Sequence, residues 1–129
     1  MACKMSSPAL FLDRDGVIVE EKGYIVNFRD IKLIKGSANL IKKANKIGLK
    51  VFIVTNQSAI ARGLLKLSTY KKISDHLEFL LKKKKAFVTK TCFSPFHIDG
   101  VVPKYSMHHP DRKPGSGMIL KIANEFDLN

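Results

Sequence analysis

The chain has 129 residues, 45% of them apolar and 26% charged, with a formal net charge of +12. That length suits one domain with one core, and the balance is ordinary for a globular protein rather than a disordered or fibrous one. No apolar run is long enough to span a membrane, and Cys3 and Cys92 are too few for a disulfide framework, so a cytoplasmic setting is expected.

Met1 to Pro8 carries a lysine but no apolar core of adequate length, so no signal peptide is expected. Ala9 to Asp13 is an apolar run that reads as a buried strand, and it leads directly into Asp13-Arg14-Asp15-Gly16. Side chains alternate along an extended chain, so Asp13 and Asp15 are expected on one face, where their charges crowd and call for a cation. Gly16 permits a sharp turn. Two other readings of Asp-x-Asp-Gly stand beside this one: a plain turn or helix cap, and the metal-holding Asp-x-Asp of sugar-nucleotide transferases.

Residues 16–34 form a variable segment in which Tyr24, Ile25, Val26 and Phe28 suit a small hairpin or flap. A helix follows from Gly36-Ser37, with Ser37 as N-cap, Leu40, Ile41, Ala44 and Ile47 on one face, and Gly48 as its stop. Lys50 to Val54 is a second buried strand and runs into Thr55-Asn56-Gln57. A second helix starts near Ser68, with Ile73, Leu77 and Leu80 at helical spacing. Lys82 to Lys85 is either a handle for an anionic partner or a solvated helix end complementing the dipole. Ala86 to Phe93 is a third, weaker strand. Residues 94–114 are a long loop rich in His, Pro and Asp, and a last helix after Pro114-Gly115 carries Met118, Ile122 and Phe126 on one face.

Strand and helix alternate, so the expected class is α/β with a parallel sheet and crossover helices. In such a sheet the carboxyl ends of all strands lie along one edge, which brings Asp13/Asp15, Thr55-Asn56-Gln57 and Arg112-Lys113 toward one pocket. A nucleophilic carboxylate, hydroxyl and amide donors, and two cations form a set suited to phosphoryl transfer. Taken singly, Thr55 could be a plain strand-end residue, Arg112-Lys113 a solvated pair and Arg62 a surface arginine.

FLDRDGV, VTNQSAIARG and DRKPGSGM together resemble the haloacid dehalogenase (HAD) superfamily of phosphatases, in the branch holding heptose bisphosphate and histidinol-phosphate phosphatases. The resemblance covers essentially all of residues 1–129 as one HAD-like domain and implies a three-layer Rossmann-like fold. It implies a magnesium-dependent phosphomonoesterase acting on a small phosphorylated sugar, with a heptose bisphosphate favoured by VTNQ, ARG and RKPGSGM. It further implies Asp13 as the nucleophile that becomes an aspartyl-phosphate, and Asp15 as acid and then base. The Asp13 carboxylate and the Asp15 carbonyl would ligate Mg²⁺. Thr55 and Asn56 would bind the transferring phosphoryl group, Lys113 would hold phosphate and nucleophile together, and Gln57, Arg62 and Arg112 would contact substrate.

The sequence departs from that family in two places. Many relatives hold a structural zinc in the loop before Arg-Lys-Pro; the matching positions here are Ser94, Phe96, His109 and Asp111, so no structural zinc is expected. An improvised site from Cys92, His97, His108 and His109 has the right donors but no defensible spacing. Relatives also have a further strand, ending in an acidic Gly-Asp-x-x-x-Asp motif that supplies a magnesium ligand, beyond the point where this sequence stops. The expectation is therefore a C-terminally incomplete HAD fold, its activity without that motif open. A histidinol-phosphate phosphatase, a non-enzymatic phosphate-binding remnant and a nucleic-acid end phosphatase are the alternatives. No aromatic residues interleave with the lysines, so nucleic acid is not an expected partner; nor is a membrane, and a monomer is expected.

Overall fold

The central strand, β2 (Lys50–Asn56), organises the architecture: Val51 to Thr55 are all buried, as an apolar strand covered on both faces requires. In this computed structural model, which describes residues 8–128, it lies between β1 (Ala9–Leu12) and β3 (Lys90–Ser94). Cys3 and the N-terminal stretch read for a leader lie outside the described residues. Both pairings are parallel, with Leu10 opposite Val51, Leu12 opposite Ile53, and Asn56 opposite Ser94.

Alternation along β2 divides the core in two. Val51 and Ile53 join a large cluster with Ile41 and Ala44 of α1 (Ser37–Lys46), with Ile73, Leu77 and Leu81 of α2 (Leu67–Lys83), and with Ile18, Val19 and Ile25 of the flap. Phe52 and Val54 face the other way, onto Met118 and Ile122 of α3 (Gly117–Phe126). Phe52 is fully buried, stacked on Phe11 at 5.3 Å and in tilted contact with Phe126 at 5.0 Å. Burying one such ring stabilises by roughly 1.5–3 kcal/mol. Helices thus cover both faces, giving three layers.

Several boundaries differ from the sequence reading. Gly36, at φ 88°, is the N-cap of α1; Ser37 lies inside the helix and donates its hydroxyl to Ile18 O at 3.1 Å, tying the helix to the flap. Leu40 and Ile47 are largely exposed, because the buried stripe runs through Ala38, Ile41 and Ala44. β3 begins at Lys90 rather than Ala86: Ala86 is buried at the end of α2, where its N–H bonds Leu81 O, and the chain pairs with β2 only after that turn. The flap is irregular, with isolated bridges Asp15–Val19 and Val19–Leu33 and a 3₁₀ turn at Phe28–Asp30; Ile25 is buried while Tyr24, Val26 and Phe28 are exposed. Lys82 to Lys85 are exposed at the carboxyl end of α2, where cations complement the dipole. Among the described residues no helix is long and apolar enough to cross a membrane.

Candidate active site

The carboxyl ends of β1 and β2 meet the loop before α3. Lys113 Nζ lies 2.8 Å from Asp13 Oδ2 and donates to Val54 O at 3.0 Å, so the lysine joins both strand ends. Its backbone is held by Asn56, whose side chain accepts from Lys113 N at 2.9 Å and donates to Lys113 O at 3.1 Å. The Asn56 amide thus makes its bonds to the lysine's peptide, which places Lys113 rather than leaving the amide open toward a ligand. A cavity of about 430 Å³ lined by His108, His109, Pro110, Arg112, Lys113 and Gly115 opens beside this pair.

Asp15 has different partners. The strand ends at Leu12 and the chain turns at Arg14, with Gly16 at φ 82°, so strict alternation does not extend across the two aspartates. Arg14 is 2% exposed and grips Asp15 through Nε to Oδ1 at 2.7 Å and Nη2 to Oδ2 at 3.0 Å. Gln57 Nε2 lies 3.4 Å from Asp15 Oδ2 and donates to the buried Thr55 hydroxyl oxygen at 2.9 Å. The expected crowding is therefore relieved by a separate cation for each carboxylate, Lys113 for Asp13 and Arg14 for Asp15. Behind this network Tyr70 has its phenol pushed up to about 12, chiefly by burial; a hydrogen bond to Ser74 and the Arg14 charge work against the rise.

Arg14, the buried partner of Asp15, is the site residue that the sequence did not single out. The signal was present: if Asp13 faces the pocket at a strand end, the next side chain faces the interior, where a guanidinium must find a local partner. Arg62 and Arg112 do not touch the Asp13–Lys113 pair. Arg112 Nη1 donates to Phe96 O at 3.2 Å, and Arg62 Nη2 lies 3.3 Å from His97 Nε2. In the loop where the resemblance offered a zinc site, Phe96 stacks on His109 with ring centres 3.8 Å apart, and Asp111 pairs with Lys121. Cys92, His97, His108 and His109 do not gather into a cluster: among the described residues no three His, Cys, Asp or Glu side chains converge on a metal position. Burial also pushes the Cys92 thiol up, away from the thiolate a metal would need.

A three-layer parallel sheet with a carboxylate and a lysine paired at its strand ends defines a HAD-like phosphatase domain. No family model matches the chain. It is 34% identical over 122 residues to D-glycero-beta-D-manno-heptose-1,7-bisphosphate 7-phosphatase of Rhodopseudomonas palustris, covering 95% of this chain and 68% of that protein. It is 37% identical to the D-glycero-alpha-D-manno-heptose-1,7-bisphosphate 7-phosphatase of Campylobacter jejuni, covering 97% of this chain and 67% of that one. A HAD-like phosphatase from Mesorhizobium loti superposes with a TM-score of 0.88 at 36% identity, over 95% of this chain and 59% of that chain. D,D-heptose 1.7-bisphosphate phosphatase from B. bronchiseptica, complexed with magnesium and phosphate, superposes with a TM-score of 0.82 at 28% identity, over 94% of this chain and 64% of that chain. The chain belongs to the heptose-1,7-bisphosphate 7-phosphatase family of HAD-like phosphatases. It spans about 66% of the length of relatives such as the Yersinia pestis enzyme.

Proposed function

We propose that this chain carries the catalytic core of a magnesium-dependent phosphomonoesterase that removes the 7-phosphate of D-glycero-D-manno-heptose 1,7-bisphosphate. The observation that carries the reading is the Asp13–Lys113 pair at 2.8 Å at the strand ends. Lys113 neutralises the charge that would otherwise keep a carboxylate and a phosphate apart. Asp13 attacks phosphorus through one carboxylate oxygen; the phosphorus–oxygen bond to the sugar breaks, and an aspartyl-phosphate forms. Asp15 gives its proton to the departing sugar oxygen, then takes one from the water that hydrolyses the acyl phosphate. Both Asp15 oxygens are engaged by Arg14, so proton transfer requires one of them to exchange that partner for the sugar oxygen.

The Asp13 carboxylate, nearly half exposed, and the Asp15 backbone carbonyl offer hard oxygen donors that fit magnesium. When bound there, magnesium supplies positive charge to the phosphoryl oxygens. Thr55 and Asn56 stand at the end of β2 beside this position, and Asn56 acts on it by carrying Lys113.

The test is phosphate release from heptose 1,7-bisphosphate with Mg²⁺, run beside histidinol phosphate, for this chain and for Asp13→Asn. Release from the heptose substrate that falls about a thousandfold or more in the variant is expected. A folded chain that releases phosphate from no sugar phosphate, or a variant that keeps its activity, overturns the reading. Preference for histidinol phosphate would overturn the substrate.

A further inference from the structure

Arg14 is bonded to both aspartates. Its backbone N–H donates to Asp13 Oδ1 at 2.7 Å. Its guanidinium holds Asp15 through Nε to Oδ1 at 2.7 Å and Nη2 to Oδ2 at 3.0 Å. The residue is itself anchored at the root of the flap. Its carbonyl accepts from Ile18 N at 3.0 Å and Val19 N at 2.9 Å, and Ser37 donates its hydroxyl to Ile18 O. One peptide and one side chain therefore set where Asp15 lies relative to Asp13.

Stability alone does not account for this arrangement. A buried ion pair gains little over packed apolar side chains, and Arg14 Nη1 is buried with no acceptor among the described residues. What the guanidinium fork does provide is geometry. Two parallel N–H groups fix the plane of the carboxylate they hold, which the point charge of a lysine does not. The two Asp15 oxygens are also held unequally. Oδ1 has the short bond to Nε, whereas Oδ2 has longer ones, 3.0 Å to Nη2 and 3.4 Å to Gln57 Nε2. Oδ2 is thus the oxygen whose bonds are more readily exchanged.

We propose that Arg14 is a positioning residue for proton transfer. It keeps the Nε–Oδ1 bond as a pivot and lets Oδ2 turn toward the oxygen of the departing alcohol. This rests on the phosphatase reading above. One Asp13 oxygen bonds phosphorus, the bond from phosphorus to the alcohol oxygen breaks, and the Asp15 carboxyl proton passes to that oxygen. A nitrophenolate departs as a stable anion and needs no such proton. Its release depends on Asp13 and not on how Asp15 is held.

The experiment compares two esters in the parent chain and in Arg14→Lys, which keeps the cation and removes the fork. Heptose 1,7-bisphosphate is followed at steady state and p-nitrophenyl phosphate by rapid mixing, both with Mg²⁺. In Arg14→Lys, kcat for the sugar ester is expected to fall about a hundredfold, with KM changed less than about twofold. The pre-steady-state rate of nitrophenolate formation is expected to stay within about threefold of the parent, with later turnover slowed because Asp15 must still deprotonate water. Should Arg14→Lys not fold, Arg14→Gln, which keeps an N–H donor without the charge, gives the same comparison. Equal losses on the two esters would mean that Arg14 supports the whole site, and a raised KM at constant kcat that it binds substrate. Either result overturns the proposal, as does full activity on the sugar ester. A folded parent chain that cleaves neither ester overturns the phosphatase reading and the proposal with it, and is told apart because the parent itself fails.

Discussion

The two faces of the sheet are built differently, and each holds one of the two aspartates. On the α1 and α2 side a deep core, closed by the flap, surrounds the Arg14–Asp15–Gln57–Thr55 network. On the α3 side only Phe52, Val54, Met118 and Ile122 are buried among the described residues, and the Asp13–Lys113 pair is partly open. Consecutive residues of β2 serve the two halves: Thr55 bonds toward Asp15, Asn56 toward Lys113. Asp15 is thus fixed by a buried arginine, whereas Asp13 is fixed by one lysine and left nearly half exposed.

Ion-pair substitutions test that contrast most sharply. Arg14→Met removes a buried guanidinium and leaves Asp15 without its partner, and should cost about 3 kcal/mol of stability in urea unfolding. Lys113→Met breaks a half-exposed pair and should cost about 0–1 kcal/mol while abolishing phosphate affinity in a titration. Equal destabilisation by the two would show that the faces are held alike.

Core truncations give the next largest difference. Leu77→Ala, on the deep side, is expected to cost about 3–5 kcal/mol, and Met118→Ala about 2 kcal/mol, because a thin layer relaxes more readily into the space. The smaller loss should bring the larger drop in phosphate affinity, since α3 follows directly from the Lys113 loop. An unchanged affinity in Met118→Ala would separate α3 from the site.

The smallest effect lies in alkali. Burial favours the neutral Tyr70 phenol, with its folded value at about 12 against an ordinary 10.0. Its stabilisation is therefore complete below pH 10 and lost as pH rises to 12, amounting to about 2 kcal/mol. Urea midpoints followed from pH 9 to 12 should fall less steeply in Tyr70→Phe than in the unmodified chain. Parallel curves would remove Tyr70 from the account.

Long apolar runs were legible in the sequence: β1, β2 and the helical stripes of α2 and α3 fall where periodicity puts them, and Asp13, Asn56 and Lys113 meet at the strand ends while Arg112 turns away to Phe96 O. What escaped depends on tertiary partners. Ser37 reads as a cap until Ile18 O is known to be within reach, and Ala86 reads as strand until its N–H is seen to close the end of α2. Asn56 looks like a ligand contact because nothing local reveals a partner 57 residues away. Arg14 escaped for the same reason, since the identity of a polar residue does not disclose which partners surround it.

That span of 57 residues also orders events in time. Closing so long a loop has an entropic cost, and contacts of high sequence separation form late in folding. During synthesis Asp13 emerges with Arg14 and Asp15 beside it, but its own counter-charge is a hundred residues further along the chain. A nascent chain halted before the 113 loop would thus carry its Arg14–Asp15 pair assembled and Asp13 unmatched, and the Asn56–Lys113 clasp marks the point in translation at which the Asp13–Lys113 pair can first close.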